Sequence, residues 1–85
     1  MGNRLIVFYG TECVKCKQVD PLLEKLEKEE SVKVTRLEVW HDTKNADFLR
    51  KCGGASVPYL YNERTKESIF GVPTYDRLRA WALKK

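Results

Sequence analysis

Leu5, Ile6, Val7, Phe8 and Tyr9 form an unbroken apolar run between Arg4 and Gly10. A run this short, rich in β-branched and aromatic residues and closed by glycine, predicts a strand buried on both faces. After Thr11 the spacing changes. Val19, Leu22, Leu23 and Leu26 fall at i, i+3, i+4 and i+7, a single apolar stripe on a helix that ends near Glu30. Pro21 lies inside that helix and predicts a kink, because it removes one backbone hydrogen bond and crowds the preceding turn. Val32 to Trp40 reads as a second strand whose alternation breaks around Arg36. His41 to Lys51 reads as a short helix started by Asp42 or Thr43 and closed by Gly53. Tyr59 to Asn62 and Ser68 to Gly71 are two short strands, with polar Glu63 to Lys66 as the hairpin loop between them. Thr74 then caps a last helix, with Tyr75, Leu78, Trp81 and Ala82 on its inner face.

The order β-α-β-α-β-β-α predicts an α/β fold, a four-stranded mixed sheet flanked by three helices. Helical crossovers link the first three strands, and the last two meet as an antiparallel hairpin. At 85 residues the chain is expected to be one domain, residues 1–85. So small a domain needs large buried side chains, so both Trp40 and Trp81 are expected in its core.

Composition narrows the function. Hydrophobic residues make up 42% and charged residues 33%, the balance of a globular chain rather than a disordered one. No apolar run approaches the roughly 20 residues that cross a bilayer. Met1 to Tyr9 lacks a small-residue cleavage site and is expected to be structure rather than a secretion signal. The net charge of +4 is spread among interspersed acids, without the dense Lys/Arg stripe that phosphate backbones select. Neither a membrane nor a nucleic acid is therefore an expected partner. Three cysteines are too few for a secreted disulfide framework, and their number is odd. In a reducing compartment such a set points to catalysis or metal binding, and a cytoplasmic location is expected.

Cys13-Val14-Lys15-Cys16 carries the chemistry. Alone, a C-x-x-C is produced by zinc sites, redox sites and chance alike. Here it falls at the junction of a buried strand and a helix, which sets the Cys13 sulfur over the free N–H groups and positive dipole end of the helix. Both favour thiolate over thiol, as do Lys15 and Lys17, while Glu12 opposes them. Cys13 is thus the expected nucleophile. Cys16, one turn deeper, can resolve a mixed disulfide. Val57-Pro58 opens the third strand some forty residues later, a position at which a strand tolerates proline.

The segment Phe8-Tyr9-Gly10-Thr11-Glu12-Cys13-Val14-Lys15-Cys16-Lys17, followed by Pro21, resembles the active-site segment of the thioredoxin superfamily. Val57-Pro58 falls where that family has its cis-proline, and Gly71 with Thr74 matches its final strand-to-helix turn. The resemblance spans essentially the whole chain, at the length of the minimal, glutaredoxin-sized form. It implies a thioredoxin-like fold and thiol–disulfide exchange, with Cys13 attacking and Cys16 resolving. It also implies an extended substrate docked by backbone hydrogen bonds at Val57 and Pro58. The expected activity is that of a protein-disulfide reductase in electron transport and cell redox homeostasis. It would act as a monomer on disulfide-containing proteins, and its only redox group would be the Cys13–Cys16 pair, with no bound cofactor. Electrons would come from a flavoprotein reductase or from glutathione, whose carboxylates Lys15 and Arg77 are placed to hold. The tryptophan before the first cysteine in thioredoxins is Glu12 here, and their buried acid falls at Val7.

A rival reading of the same residues is a zinc-stabilised binding module with Cys13, Cys16, His41 and Cys52 as ligands. Outside that set, Cys52 is expected to be a small helix-end residue packed on the sheet and His41 a turn or capping residue.

Overall fold

In a computed structural model the protein is described over residues 4–84. Met1 to Asn3 of the N-terminal stretch and Lys85 lie outside the described residues. Seven elements follow in chain order: β1 (Leu5–Tyr9), α1 (Val14–Glu30), β2 (Val34–Glu38), α2 (Thr43–Lys51), β3 (Tyr59–Asn62), β4 (Ser68–Phe70) and α3 (Tyr75–Leu83). They build one four-stranded mixed sheet in the order β2-β1-β3-β4.

β1 is central because it is apolar on both sides. Leu5 and Val7 face one cluster with Val19, Leu23 and Leu26 of α1 and Leu78 and Trp81 of α3. Ile6 and Phe8 face the other, with Leu49 of α2 and Tyr59. The period-2 alternation of a strand thus divides five consecutive apolar residues between two half-cores. Leu60 of β3 joins the first cluster, and Tyr59 and Tyr61 belong to the second. The result is α1 and α3 on one face of the sheet and α2 on the other.

The crossover through α1 leaves β2 parallel to β1, Leu5 opposite Val34. Helices join the first three strands as expected, but the parallel sense that such crossovers imply does not extend to β3. It pairs with β1 in the antiparallel sense, Leu5 opposite Asn62 and Phe8 opposite Tyr59, because α2 and the segment after it return the chain to the end of the sheet at which β2 finished. β3 and β4 form the expected antiparallel hairpin.

Local signals explain the boundaries. Asp42 caps α2, its carboxylate accepting from the Lys44 and Asn45 amides. At the other end the Gly53 amide donates to the Arg50 carbonyl and the Gly54 amide to the Leu49 carbonyl. These are the two bonds of a Schellman stop, and Gly53 supplies its left-handed residue at φ +90°. Thr74 caps α3 by accepting from the Arg77 amide.

β2 is shorter than the predicted Val32 to Trp40 because two glutamates bracket it. Glu27 of α1 accepts from the Val34 amide and from Arg36, which explains the broken alternation: Arg36 leans back to α1 instead of filling the core. Glu38 accepts from both the Trp40 and the His41 amides and turns the chain off the sheet. Trp40 therefore does not enter the core as expected; it is 50% exposed, whereas Trp81 is buried. No described helix is long and apolar enough to cross a membrane.

Candidate active site

The end of β1 turns at Gly10, whose carbonyl accepts from the Cys13 amide at 3.3 Å. Cys13 is the N-cap of α1 in extended geometry, and its Sγ accepts from the Cys16 amide at 3.1 Å. A helix N-terminus leaves such amides without intrahelical partners, so the sulfur occupies a place where negative charge is stabilised. The first turn of α1 carries no acidic residue, and Lys15 and Lys17 are exposed beside the cysteines. Cys13 and Cys16 are joined as a disulfide across Val14 and Lys15, with Cα atoms 5.2 Å apart. The two sulfurs are not equivalent. Cys13 is half-buried, whereas Cys16 is buried in the first turn of the helix. Cys13 is the more accessible of the two.

Because β3 is antiparallel to β1, its N-terminal end lies at the same end of the sheet as the cysteines. Val57-Pro58 sits there, and its peptide bond is cis. Pro58 is buried, and its carbonyl accepts from the Gly71 amide at 3.0 Å. Val57 is half-buried, and neither its N–H nor its C=O enters any backbone hydrogen bond of the described loops and turns. Unspent backbone groups beside a strand are a template for another extended chain.

The surroundings are apolar. Of the five large hydrophobic side chains exposed among the described residues, four belong to this end: Val14, Trp40, Phe70 and Val72. Val14 follows Cys13, Phe70 pairs with Tyr59, and Val72 follows Gly71. Trp40 lies across Gly10 so closely that a Cβ there would overlap the indole ring. Gly10 is thus required by a close approach. Sequence patterning missed Trp40, since nothing in a β-branched stretch marks the residue at which a glutamate will lift the chain away.

The remaining candidates are placed elsewhere. Cys52 caps the C-terminus of α2 and packs against the α2-side cluster, and its carbonyl accepts from the Tyr59 hydroxyl at 2.7 Å. Burial pushes its thiol up from the ordinary value, helped by Glu63, while Arg4 and Lys66 act in the opposite direction. It is the packed helix-end residue expected. His41 is exposed in the β2–α2 turn with Nδ1 3.4 Å from Glu38. No three His, Cys, Asp or Glu side chains among the described residues gather in a way that could hold a metal ion. The rival zinc set of Cys13, Cys16, His41 and Cys52 is therefore not assembled. Arg77 lines a groove of about 350 Å³ with Glu67, Ser68 and Lys84. Ser68 is the end of β4 away from Pro58. Val7 is buried under α1 and α3, so β1 offers no acid to assist Cys16.

A dithiol pair at the start of a helix, on a sheet of this order, defines a thiol–disulfide oxidoreductase of the thioredoxin kind. Residues 2–84 match the family model for thioredoxin, and the chain belongs to that family. No curated protein matches the sequence. Among solved structures it is similar to thioredoxin-2 of the malaria parasite, described as a component of that parasite's protein secretion machinery. The likeness has a TM-score of 0.67 at 24% identity, and covers 100% of this chain and 86% of that one. It is a likeness of fold.

Proposed function

We propose that the protein reduces disulfides in other proteins, with Cys13 as the attacking thiol and Cys16 as the resolving thiol. The asymmetry of the pair carries this reading: the half-buried Cys13 sulfur accepts a helix-terminal amide, and Cys16 lies buried behind it. In the reduced protein the Cys13 thiolate attacks one sulfur of a substrate disulfide. The substrate S–S bond breaks, one substrate thiolate leaves and takes up a proton, and a Cys13–substrate disulfide forms. Cys16 then loses its proton and attacks the Cys13 sulfur. The second substrate thiol departs and the Cys13–Cys16 disulfide remains, two electrons having passed to the substrate. With Val7 in place of an acid, the Cys16 proton passes to water or to the departing thiolate.

The free N–H and C=O of Val57 dock the substrate as an extended strand beside Pro58, and exposed Lys15 borders the same surface. A dithiol donor, such as a flavoprotein reductase, returns the pair to the reduced state. A reducing compartment, the cytoplasm, and a monomeric protein without a bound cofactor complete the proposal.

The experiment is to incubate reduced Cys16→Ser protein with a disulfide-containing protein and to separate the products without reductant. A mixed disulfide at Cys13 is expected to accumulate, and Cys13→Ser is expected to abolish turnover. Turnover that survives in Cys13→Ser sinks the reading.

A further inference from the structure

We propose that Trp40 determines which disulfides this site prefers, by forming one wall of a groove that takes an apolar side chain next to the substrate cysteine. The inference rests on the oxidoreductase reading above and adds a specificity residue to it. Three observations lead to Trp40. Its indole lies against Gly10, whose carbonyl accepts from the Cys13 amide. It is half exposed in a loop that is fixed rather than free, since Glu38 accepts from the Trp40 amide at 2.9 Å and from the His41 amide at 2.8 Å. It also lines a groove of about 270 Å³ together with Val39, Ala46, Leu49, Arg50 and Val57.

Val57 is shared between this groove and the backbone edge that docks the substrate. A strand hydrogen-bonded at Val57 turns alternate side chains to the two sides of its backbone, so one flanking residue is delivered into the groove. The lining fixes the chemistry of that residue. Val39, Ala46, Leu49, Ala55, Val57 and the indole are apolar, Ser56 is the one uncharged polar residue of the lining, and the one cation, Arg50, is engaged by Asp47 at 2.7 Å. No unpaired charge lines the groove to receive an acidic or basic side chain, so a leucine-like residue gains most from entering. A preformed wall adds to this, because the ordering of the Trp40 loop precedes binding.

The test uses the full-length protein and two disulfide-linked peptides that differ only in the residue beside the cysteine, leucine or serine. Wild-type protein is expected to favour the leucine peptide about tenfold in kcat/KM, ~1.4 kcal/mol, with the difference in KM. Trp40→Ala is expected to bring the two peptides within about twofold, and Trp40→Phe to keep most of the preference. Ala46→Leu, which fills the groove and leaves the indole in place, is expected to lower the preference as well. A preference that is absent in wild type, or unchanged in Trp40→Ala and Ala46→Leu, overturns the proposal. Bis(2-hydroxyethyl) disulfide, which has no flanking side chain, separates the two readings. If wild-type protein reduces neither it nor the peptides, the oxidoreductase reading itself has failed and this one falls with it.

Discussion

Among the described residues Asn62 is the one buried polar side chain, and its recorded hydrogen bonds are all internal. Its Nδ2 donates to the Trp81 carbonyl at 2.9 Å, and its Oδ1 accepts from the Arg64 and Thr65 amides at 2.9 and 3.3 Å. Trp81 lies within the last four residues of α3, whose carbonyls have no partner inside the helix. One amide thus closes the end of α3 and shapes the hairpin loop. Asn62→Ala leaves three backbone groups unpaired and is expected to cost about 1–3 kcal/mol. Asn62→Asp keeps the acceptor for the loop but sets a carboxylate against the Trp81 carbonyl, and is expected to lose at least as much. Urea unfolding of the two variants measures this, and a loss under about 0.5 kcal/mol in both contradicts it. Residues of this kind are hard to read in sequence. Asn62 stands in a strand pattern like any turn-forming asparagine, because its partner on α3 is 19 residues away. Cys13 and Cys16 are readable, since both their spacing and their place after a buried strand are local.

Among the elements, β2 shows where pattern stops and side-chain chemistry takes over. Val34, Leu37 and Val39 carry the strand signal, but Glu27 and Glu38 fix where it begins and ends. A third carboxylate, Glu63, holds the start of β1 by accepting from the Arg4 amide and guanidinium. The Arg36 guanidinium holds the Glu27 carboxyl below its ordinary value of 4.5, and the Arg4 guanidinium does the same for Glu63; in each case burial works against the shift. A lowered carboxyl contributes stability that is fully present above the unfolded value and is lost as pH falls through the folded one. The melting temperature is therefore expected to hold from neutral pH to about 5 and to fall below about 4.5. Glu27→Gln combined with Glu63→Gln should lower it at neutral pH by a few degrees, on the order of 1 kcal/mol in total. The same pair should flatten the acid slope. A double variant with the wild-type slope contradicts the assignment.

At the scale of the molecule, the sheet and its helices follow from alternation. Five apolar residues in β1 require cover on both faces, and three amphipathic helices provide it as α1 and α3 on one side and α2 on the other. Less legible was the direction of β3, because apolar spacing is blind to whether a strand enters the sheet parallel or antiparallel. That direction matters. It brings Val57-Pro58 to the end of the sheet where α1 begins, and so gathers cysteines, free backbone and exposed apolar side chains in one place.

The proposed function requires Cys13 and Cys16 to act as one two-electron couple. Purified protein equilibrated against thiol buffers, alkylated and mapped by mass at each potential, tests it directly. Two thiols are expected to appear together, at Cys13 and Cys16, with a midpoint in the range of about −180 to −270 mV, while Cys52 stays a free thiol throughout. Cysteines that titrate separately, or a disulfide that includes Cys52, would contradict it.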